Sequence, residues 1–130
     1  MPGAPCPDST PPGVVISAAA DGSGRPAGTR VVTFGYSGGW AELRAADTAE
    51  VAAVPSAVDL GLAAAIPAAG VTALRALRRL GPVAERRVLI TGASGGVGRF
   101  AVQLAARAGA HVIASVGNPE RGDGLARLGV

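Results

Sequence analysis

Two short apolar runs in the last third of the chain frame an amphipathic segment. The middle of Arg87–Thr91 is uninterruptedly apolar, and Val112–Val116 is apolar except at Ser115. Each run predicts a strand buried on both faces, as in a parallel sheet. Between them, apolar residues recur every three or four positions up to Ala108, which predicts an α-helix. We expect the two strands to be parallel and adjacent, with this helix connecting them.

The predicted helix has one apolar and one polar face. Gly109 is well placed to cap its C-terminus. Arg99, Gln103 and Arg107 follow one another at steps of four and predict the polar face. The apolar stripe predicted to pack against the strands comprises Val97, Phe100, Ala101, Leu104, Ala105 and Ala108.

The middle of the chain predicts two further helices. Asp59 is placed to N-cap a helix over Leu60–Ile66, which Pro67 would end. A second helix follows Gly70 and ends at Gly81-Pro82. Its apolar face is Ala73, Leu74, Leu77 and Leu80, and its arginines, Arg75, Arg78 and Arg79, fall outside that face.

The first part of the chain favours β-structure. Turn signals such as Asp21–Gly24 and Gly38-Gly39 recur every eight to twelve residues. Residues 1–13 contain five prolines and predict a disordered lead-in. The predicted strands are Val14–Ser17, Val31–Phe34, Trp40–Leu43, which would pair back, and Glu50–Val54.

The turn Gly92–Gly98 follows the first buried strand and contains four glycines. A strand, a glycine turn, a helix and a second strand within about thirty residues are typical of a dinucleotide-binding βαβ unit. Ala93 occupies the place of the first glycine of G-x-G-x-x-G and fits there if its φ is negative. Gly95 would let the backbone approach a pyrophosphate, and Gly98 would let the helix pack closely on the strand. The predicted cofactor contacts of the loop are Ala93, Ser94, Gly95, Gly96, Val97 and Gly98.

The amides of Gly96, Val97 and Gly98 start the helix, so they are predicted donors at the positive end of its dipole. The alternative is a tight βα turn that binds nothing. The loop is not a P-loop, because that motif requires a lysine and the chain has none.

Composition argues against three other classes of protein: nucleic-acid-binding, metal-binding and membrane-spanning proteins. The net charge is +3 and every basic residue is arginine, which we attribute to a coding bias rather than to a nucleic-acid partner. Cys6 and His111 are the single cysteine and histidine, so the sequence predicts neither a disulfide nor a metal site. No apolar run reaches the roughly 18 residues of a membrane span. We expect a cytoplasmic protein without a membrane partner.

The end of the second strand predicts a preference for NADPH over NADH. Sites that prefer NAD usually place an acid about 20 residues beyond the glycine loop, whereas residues 114–119 contain none. Arg121 follows and is the predicted partner of a 2′-phosphate. Ser115 and Asn118 are predicted to add neutral hydrogen bonds.

Beyond these patterns, Gly28–Val130 resembles the quinone oxidoreductase-like, zinc-independent branch of the medium-chain dehydrogenase/reductases. The order and spacing of three stretches carry the resemblance. They are Gly28-Thr-Arg-Val-Val with Gly39-Trp-Ala-Glu, then Ala63-Ala-Ala-Ile-Pro-Ala-Ala-Gly-Val-Thr-Ala-Leu, and finally Val88-Leu-Ile-Thr-Gly-Ala-Ser-Gly-Gly-Val-Gly-Arg-Phe-Ala-Val-Gln-Leu-Ala.

The resemblance implies an α/β fold: a partial Rossmann fold over residues 57–130, preceded over residues 14–56 by the β-rich end of a GroES-like catalytic domain. It implies NADP(H) as cofactor and hydride transfer to a small quinone, enone or similar activated double bond. By position, Thr72 matches a junction threonine that lies near the cofactor in this family. The members are longer, so the chain resembles a fragment truncated at both ends of an enzyme that forms a homodimer when complete. No catalytic residue is assigned.

Two alternatives remain. Thr91–Gly98 also fits the T-G-x-x-x-G-x-G loop of short-chain dehydrogenases, but the only tyrosine, Tyr36, precedes the loop, whereas that family needs a downstream Tyr-x-x-x-Lys. The other alternative is a non-catalytic nucleotide-binding protein.

Overall fold

A computed structural model describes residues 11–35 and 38–130. Residues 1–10 and 36–37, with Cys6, Tyr36 and most of the predicted lead-in, lie outside the described residues. The chain divides into two compact units, Met1–Ala68 and Ala69–Val130.

The described part of the first unit contains a three-stranded antiparallel sheet. Its strands are β1 (Pro12–Val14), β2 (Arg30–Thr33) and β3 (Val51–Ala53), with β2 in the centre. Val31 and Val32 are both buried, and because successive side chains point to opposite faces, β2 is covered on both sides. β1 shares only Val14 with the strand predicted at Val14–Ser17, and its first two residues, Pro12 and Gly13, were predicted to be part of the disordered lead-in, so both predictions are wrong at this boundary.

The strand predicted over Trp40–Leu43 is wrong, because this segment forms a turn and bends. The reason lies in the sheet: β1 and β3 already occupy both edges of β2, so no edge of that strand is left for pairing back. Trp40 is 94% exposed. An aromatic residue favours a strand only where a packing surface is available to it.

Hydrogen bonds from side chains shape the end of the first unit. Arg30 donates from Nη1 to the carbonyl oxygens of Pro55 and Ser56 at 3.0 and 2.9 Å, and from Nη2 to that of Val58 at 2.7 Å. Asp59 caps α1 (Leu60–Ala64) as predicted, since its Oδ1 accepts from the Leu62 amide at 3.0 Å. Arg30 thereby holds the segment that leads into α1.

Contrary to the prediction from the sequence, the helical path does not stop at Pro67. After α1 the backbone continues through a π-helical turn, Ile66–Gly70, directly into α2 (Val71–Arg79). Pro67 lies in the first turn of that new segment, where a missing amide hydrogen breaks no hydrogen bond. Gly81 ends α2 as predicted, with φ of +73°.

The second unit contains the predicted βαβ arrangement. β4 (Arg87–Thr91) and β5 (His111–Ser115) are parallel neighbours, and α3 (Gly96–Arg107) connects them. Gly109 has a φ of +81° and caps α3 as predicted. The mixed α/β architecture and the partial Rossmann unit are thus confirmed. The buried core of this unit is Val83, Val88, Ile90, Ala93, Val102, Ala105 and Leu125.

The prediction that both strands are buried on both faces is wrong. Val88 and Ile90 are buried in the core, whereas Leu89 is 62% exposed. Ile113, which pairs with Leu89 across the ladder, is 47% exposed. One face of the two-stranded sheet packs on α3 and the other is open.

The apolar stripe of α3 is rotated from its predicted position. Val102 and Ala105 are fully buried, although the predicted stripe omitted Val102, and Val97 is 41% exposed. Arg99 and Arg107 are exposed, as the predicted polar face requires. The rotation places the centre of the buried face at Val102.

The end of the chain forms two short 3₁₀-helices, Pro119–Gly122 and Ala126–Leu128, where the sequence predicted the start of a helix at Leu125. Leu125 itself is buried in the core. Among residues 11–35 and 38–130, no helix combines the length and the apolarity that a membrane crossing needs.

Candidate cofactor site

The glycine loop begins where β4 ends, and two backbone features set its path. Gly92 has a φ of +63°, a left-handed conformation that favours glycine. Ala93 keeps a negative φ, as its side chain requires, and it is fully buried. The Ala93 amide donates to the carbonyl oxygen of Ser115 at 3.1 Å, which joins the loop to the end of β5.

Gly98 is where α3 comes closest to the loop. A Cβ at this position would overlap the carbonyl oxygen of Gly92 and would lie 2.7 Å from the Cα of Ala93. Both neighbours are backbone atoms, so a side chain could not be accommodated without moving the helix or the loop. This contact supports the predicted packing role of Gly98.

Gly95 is the N-cap residue of α3, and a Cβ there would lie 3.3 Å from the Gly92 oxygen. Its own amide donates to that oxygen at 2.9 Å, and its carbonyl accepts from the Arg99 amide at 2.9 Å. Within the described part of the chain, no group accepts from the amides of Gly96, Val97 and Gly98. These amides are the unpaired donors that a helix N-terminus offers to an anion.

An open cleft of about 470 Å³ lies beside this loop. It is bounded by the loop, by the first turn of α3 and by the segment after β5. The lining residues are Gly92, Ser94, Gly95, Arg99, Gly117 and Arg121. The cleft therefore joins backbone of the glycine loop to two arginines, and no acidic side chain lines it.

Three of the predicted cofactor residues, Ser94, Gly95 and Arg121, line this cleft. The other predicted cofactor residues do not line the cleft. Ala93 and Gly98 are buried beneath the loop, whereas Gly96 and Val97 are exposed on the first turn of α3.

The remaining predicted contacts lie further along the chain. Ser115 is the exposed last residue of β5. The side chain of Asn118 accepts from the Glu120 amide at 2.9 Å and so caps the 3₁₀-helix that carries Arg121. Thr72 is exposed in the first turn of α2, a helix that packs against α3. Its contact with a cofactor stays a prediction.

Sequence reasoning missed three lining residues, Gly92, Gly117 and Arg99. Gly92 directly follows β4 and Gly117 lies two residues after β5, at the edge where parallel sheets bind ligands. Arg99 was placed on the solvent face of α3, which is correct. The signal that could have found it is its position one residue after Gly98, in the turn beside the loop.

The first unit contains a larger cavity of about 630 Å³, lined by β1 and by the segment from Gly38 to Ala46 among others. One of its arginines, Arg44, donates to the Thr33 hydroxyl at 3.3 Å. Size alone does not make this cavity the site, because the donors and the glycine backbone that suit a dinucleotide are on the loop of the second unit.

Comparison with known proteins finds homologues of the chain. No family model matches the chain. The chloroplast envelope quinone oxidoreductase homolog of Arabidopsis thaliana is 44% identical over 86 residues, which are 62% of this chain and 26% of that protein. The chain is a homologue of the quinone oxidoreductase-like medium-chain dehydrogenase/reductases. This result decides against the short-chain alternative.

Solved structures of this family have the same fold. The Escherichia coli quinone oxidoreductase, solved as a complex with NADPH, superposes with a TM-score of 0.82 at 28% identity, over 94% of this chain and 38% of that one. The CurK enoyl reductase gives a TM-score of 0.83 at 28% identity, over 94% and 37%. The chain thus spans about a quarter to two fifths of the length of these relatives.

Proposed function

We propose that this chain supplies the NADP(H)-binding part of an oxidoreductase. The observation that carries the proposal is the cleft beside the glycine loop, where the helix N-terminus and two arginines face the same space. A dinucleotide phosphate presents a pyrophosphate and a 2′-phosphate, and each needs donors and positive charge. The Escherichia coli quinone oxidoreductase, a solved relative, was solved as a complex with NADPH, which supports this cofactor.

The residues present fit the cofactor. The free amides of Gly96, Val97 and Gly98 would hold the pyrophosphate at the positive end of the α3 dipole. The close approach at Gly98 keeps that helix end against the loop. Arg121 would hold the 2′-phosphate, and Asn118 would fix the turn from which Arg121 projects. When bound, NADPH supplies a hydride.

The hydride acceptor we propose is a quinone, an enone or a related activated double bond. The support comes from the names of the relatives, a quinone oxidoreductase and an enoyl reductase. The lining of the cleft consists of glycines, a serine and two arginines. This lining would suit an anion, and it offers no group suited to protonating a substrate at neutral pH.

The cleft beside the glycine loop also favours a second candidate function, that of a nucleotide-binding protein without catalytic activity. The two candidates separate when binding and turnover are measured independently on the full chain. Titration with NADPH reports binding, and NADPH oxidation with a simple quinone reports turnover. Binding with oxidation supports the oxidoreductase, and binding without oxidation supports the second candidate.

Arg121→Ala tests the cofactor preference. A hydrogen bond to a charged group contributes about 1.5–3 kcal/mol, so NADPH binding should weaken by roughly ten- to a hundredfold while NADH binding stays nearly unchanged. Isothermal titration of both cofactors measures this. Arg127→Ala is the matched control, because it removes the same charge from the neighbouring 3₁₀-helix without touching the cleft. Equal losses for both cofactors would show that Arg121 does not act on the 2′-phosphate.

A further inference from the structure

Arg99 lies in the first turn of α3 with its side chain at the cleft. Its Nε donates to the carbonyl oxygen of Ser94 at 3.2 Å. This direction agrees with helical geometry, since side chains tilt toward the helix N-terminus and cover the preceding turn. The guanidinium is therefore held over the glycine loop, and the donors on its two terminal nitrogens remain available.

The position of Arg99 is unfavourable for the isolated helix. A cation in the first turn opposes the positive end of the helix dipole. Within residues 11–35 and 38–130, no carboxylate pairs with Arg99 or with Arg121. Two unneutralised arginines thus line one cleft, next to a helix end that is itself positive. A bound anion would offset this arrangement.

That anion would be one of two groups of the cofactor, the pyrophosphate or the 2′-phosphate. These two groups bind at different places in a dinucleotide-binding fold. The pyrophosphate has the free amides at the start of α3 as its partners. The ribose that carries the 2′-phosphate binds at the end of the second strand, which here is β5, followed by Gly117. Arg99 lines one cleft with Gly117 and Arg121, as well as with the loop residues Ser94 and Gly95, so its guanidinium shares the space at the end of β5 with Arg121.

We propose that Arg99 is a second specificity-determining residue, which contacts the 2′-phosphate of NADPH from the α3 side while Arg121 contacts it from the β5 side. This inference rests on the proposed function and adds to it a residue from the helix rather than from the strand end. A single arginine would make the preference for NADPH depend on one exposed side chain. Two arginines that line one cleft can share the charge of a dianion.

The test compares Arg99→Gln with the unsubstituted full chain. Glutamine keeps a donor for the Ser94 carbonyl and removes the charge. We expect NADPH and 2′,5′-ADP to bind about tenfold more weakly, and NADH and 5′-AMP to bind as before. Arg99→Lys should restore part of the loss. The matched control is Arg107→Gln, an arginine two turns along the same face of α3 that does not line the cleft.

A stability measurement separates this role from a structural one. Removing a cation from the first turn should leave the thermal unfolding midpoint of Arg99→Gln unchanged or slightly higher, whereas a structural arginine would lower it when replaced. Equal weakening of NADPH and NADH, or no weakening of NADPH, overturns the role of Arg99 and leaves the proposed function standing. Failure of the unsubstituted chain to bind NADPH overturns both.

Discussion

The two faces of the β4–β5 sheet have opposite environments, although each strand contributes apolar side chains to both faces. Val88 and Ile90 pack into the core beneath α3, while Leu89 between them is exposed, as is its ladder partner Ile113. Side chains alternate along a strand, so each strand contributes to both faces. An apolar run thus shows which environment a strand tolerates, and the helices that pack against the strand decide which of its faces is covered.

The covered face is also the one that positions the cofactor site. Val102 and Ala105 of α3 are fully buried against it. Through them the helix is held with its N-terminus next to the glycine loop, and Gly98 makes the closest approach. Substitutions on this side should therefore affect stability and the site together, whereas those on the open face should affect neither.

The largest effect is expected for Gly98→Ala. The new Cβ would collide with backbone of Gly92 and Ala93, so the free energy of unfolding should fall by about 3 kcal/mol or more. Urea denaturation followed by circular dichroism measures the change. Gly96→Ala is the matched control on the same helix. Its Cβ would meet only the Ala69 side chain, at 3.9 Å, so stability should stay the same or rise. Equal effects of the two substitutions would contradict the close approach at Gly98.

A smaller effect is expected for Ile90→Ala, and it compares the two faces directly. Ile90 is buried and Leu89, the next residue, is 62% exposed. Ile90→Ala should lower the free energy of unfolding by about 2–3 kcal/mol because it leaves a cavity. Leu89→Ala should change it by less than about 1 kcal/mol. The same denaturation measurement applies to both, and similar losses would mean that the open face is covered in solution.

The smallest effect on stability is expected for the double substitution Leu89→Gln with Ile113→Gln. Among residues 11–35 and 38–130, no further strand pairs with the outer edges of the β4–β5 sheet. Exposed apolar groups on such a sheet favour association between molecules. The double variant should keep its unfolding free energy within about 0.5 kcal/mol and should self-associate less in sedimentation velocity. Leu43→Gln, at an exposed apolar position of the first unit, controls for a general gain in polarity. Unchanged association of the double variant would show that this face does not drive it.

Much of the second unit could be predicted from the sequence because its signals are local. The alternation of strand, glycine turn and helix predicted β4, α3 and β5, and the caps at Gly81 and Gly109 took the predicted positions. The first unit was harder. Trp40–Leu43 has the composition of a strand, but pairing depends on a free edge of a distant strand, which local sequence does not report.

The candidate site shows the same division. Ser94, Gly95 and Arg121 were predicted and line the cleft, since a loop motif and a strand end are visible in sequence order. Arg99 was assigned to solvent, because helical periodicity distinguishes buried from exposed faces and does not show which exposed residues lie next to a loop. Asn118 was predicted as a cofactor contact, and its side chain caps a turn in the structure.

The sequence by itself determined the βαβ unit, the glycine loop and the absence of an acid after β5, because backbone preferences and periodicity act over a few residues. Tertiary structure alone decided which face of β4 and β5 is covered, how far α3 is rotated about Val102, and that Arg99 and Arg121 share one cleft. Those features depend on contacts between residues that are far apart along the chain. Such contacts are set by how helices and strands fit in three dimensions, and no short window of sequence contains them.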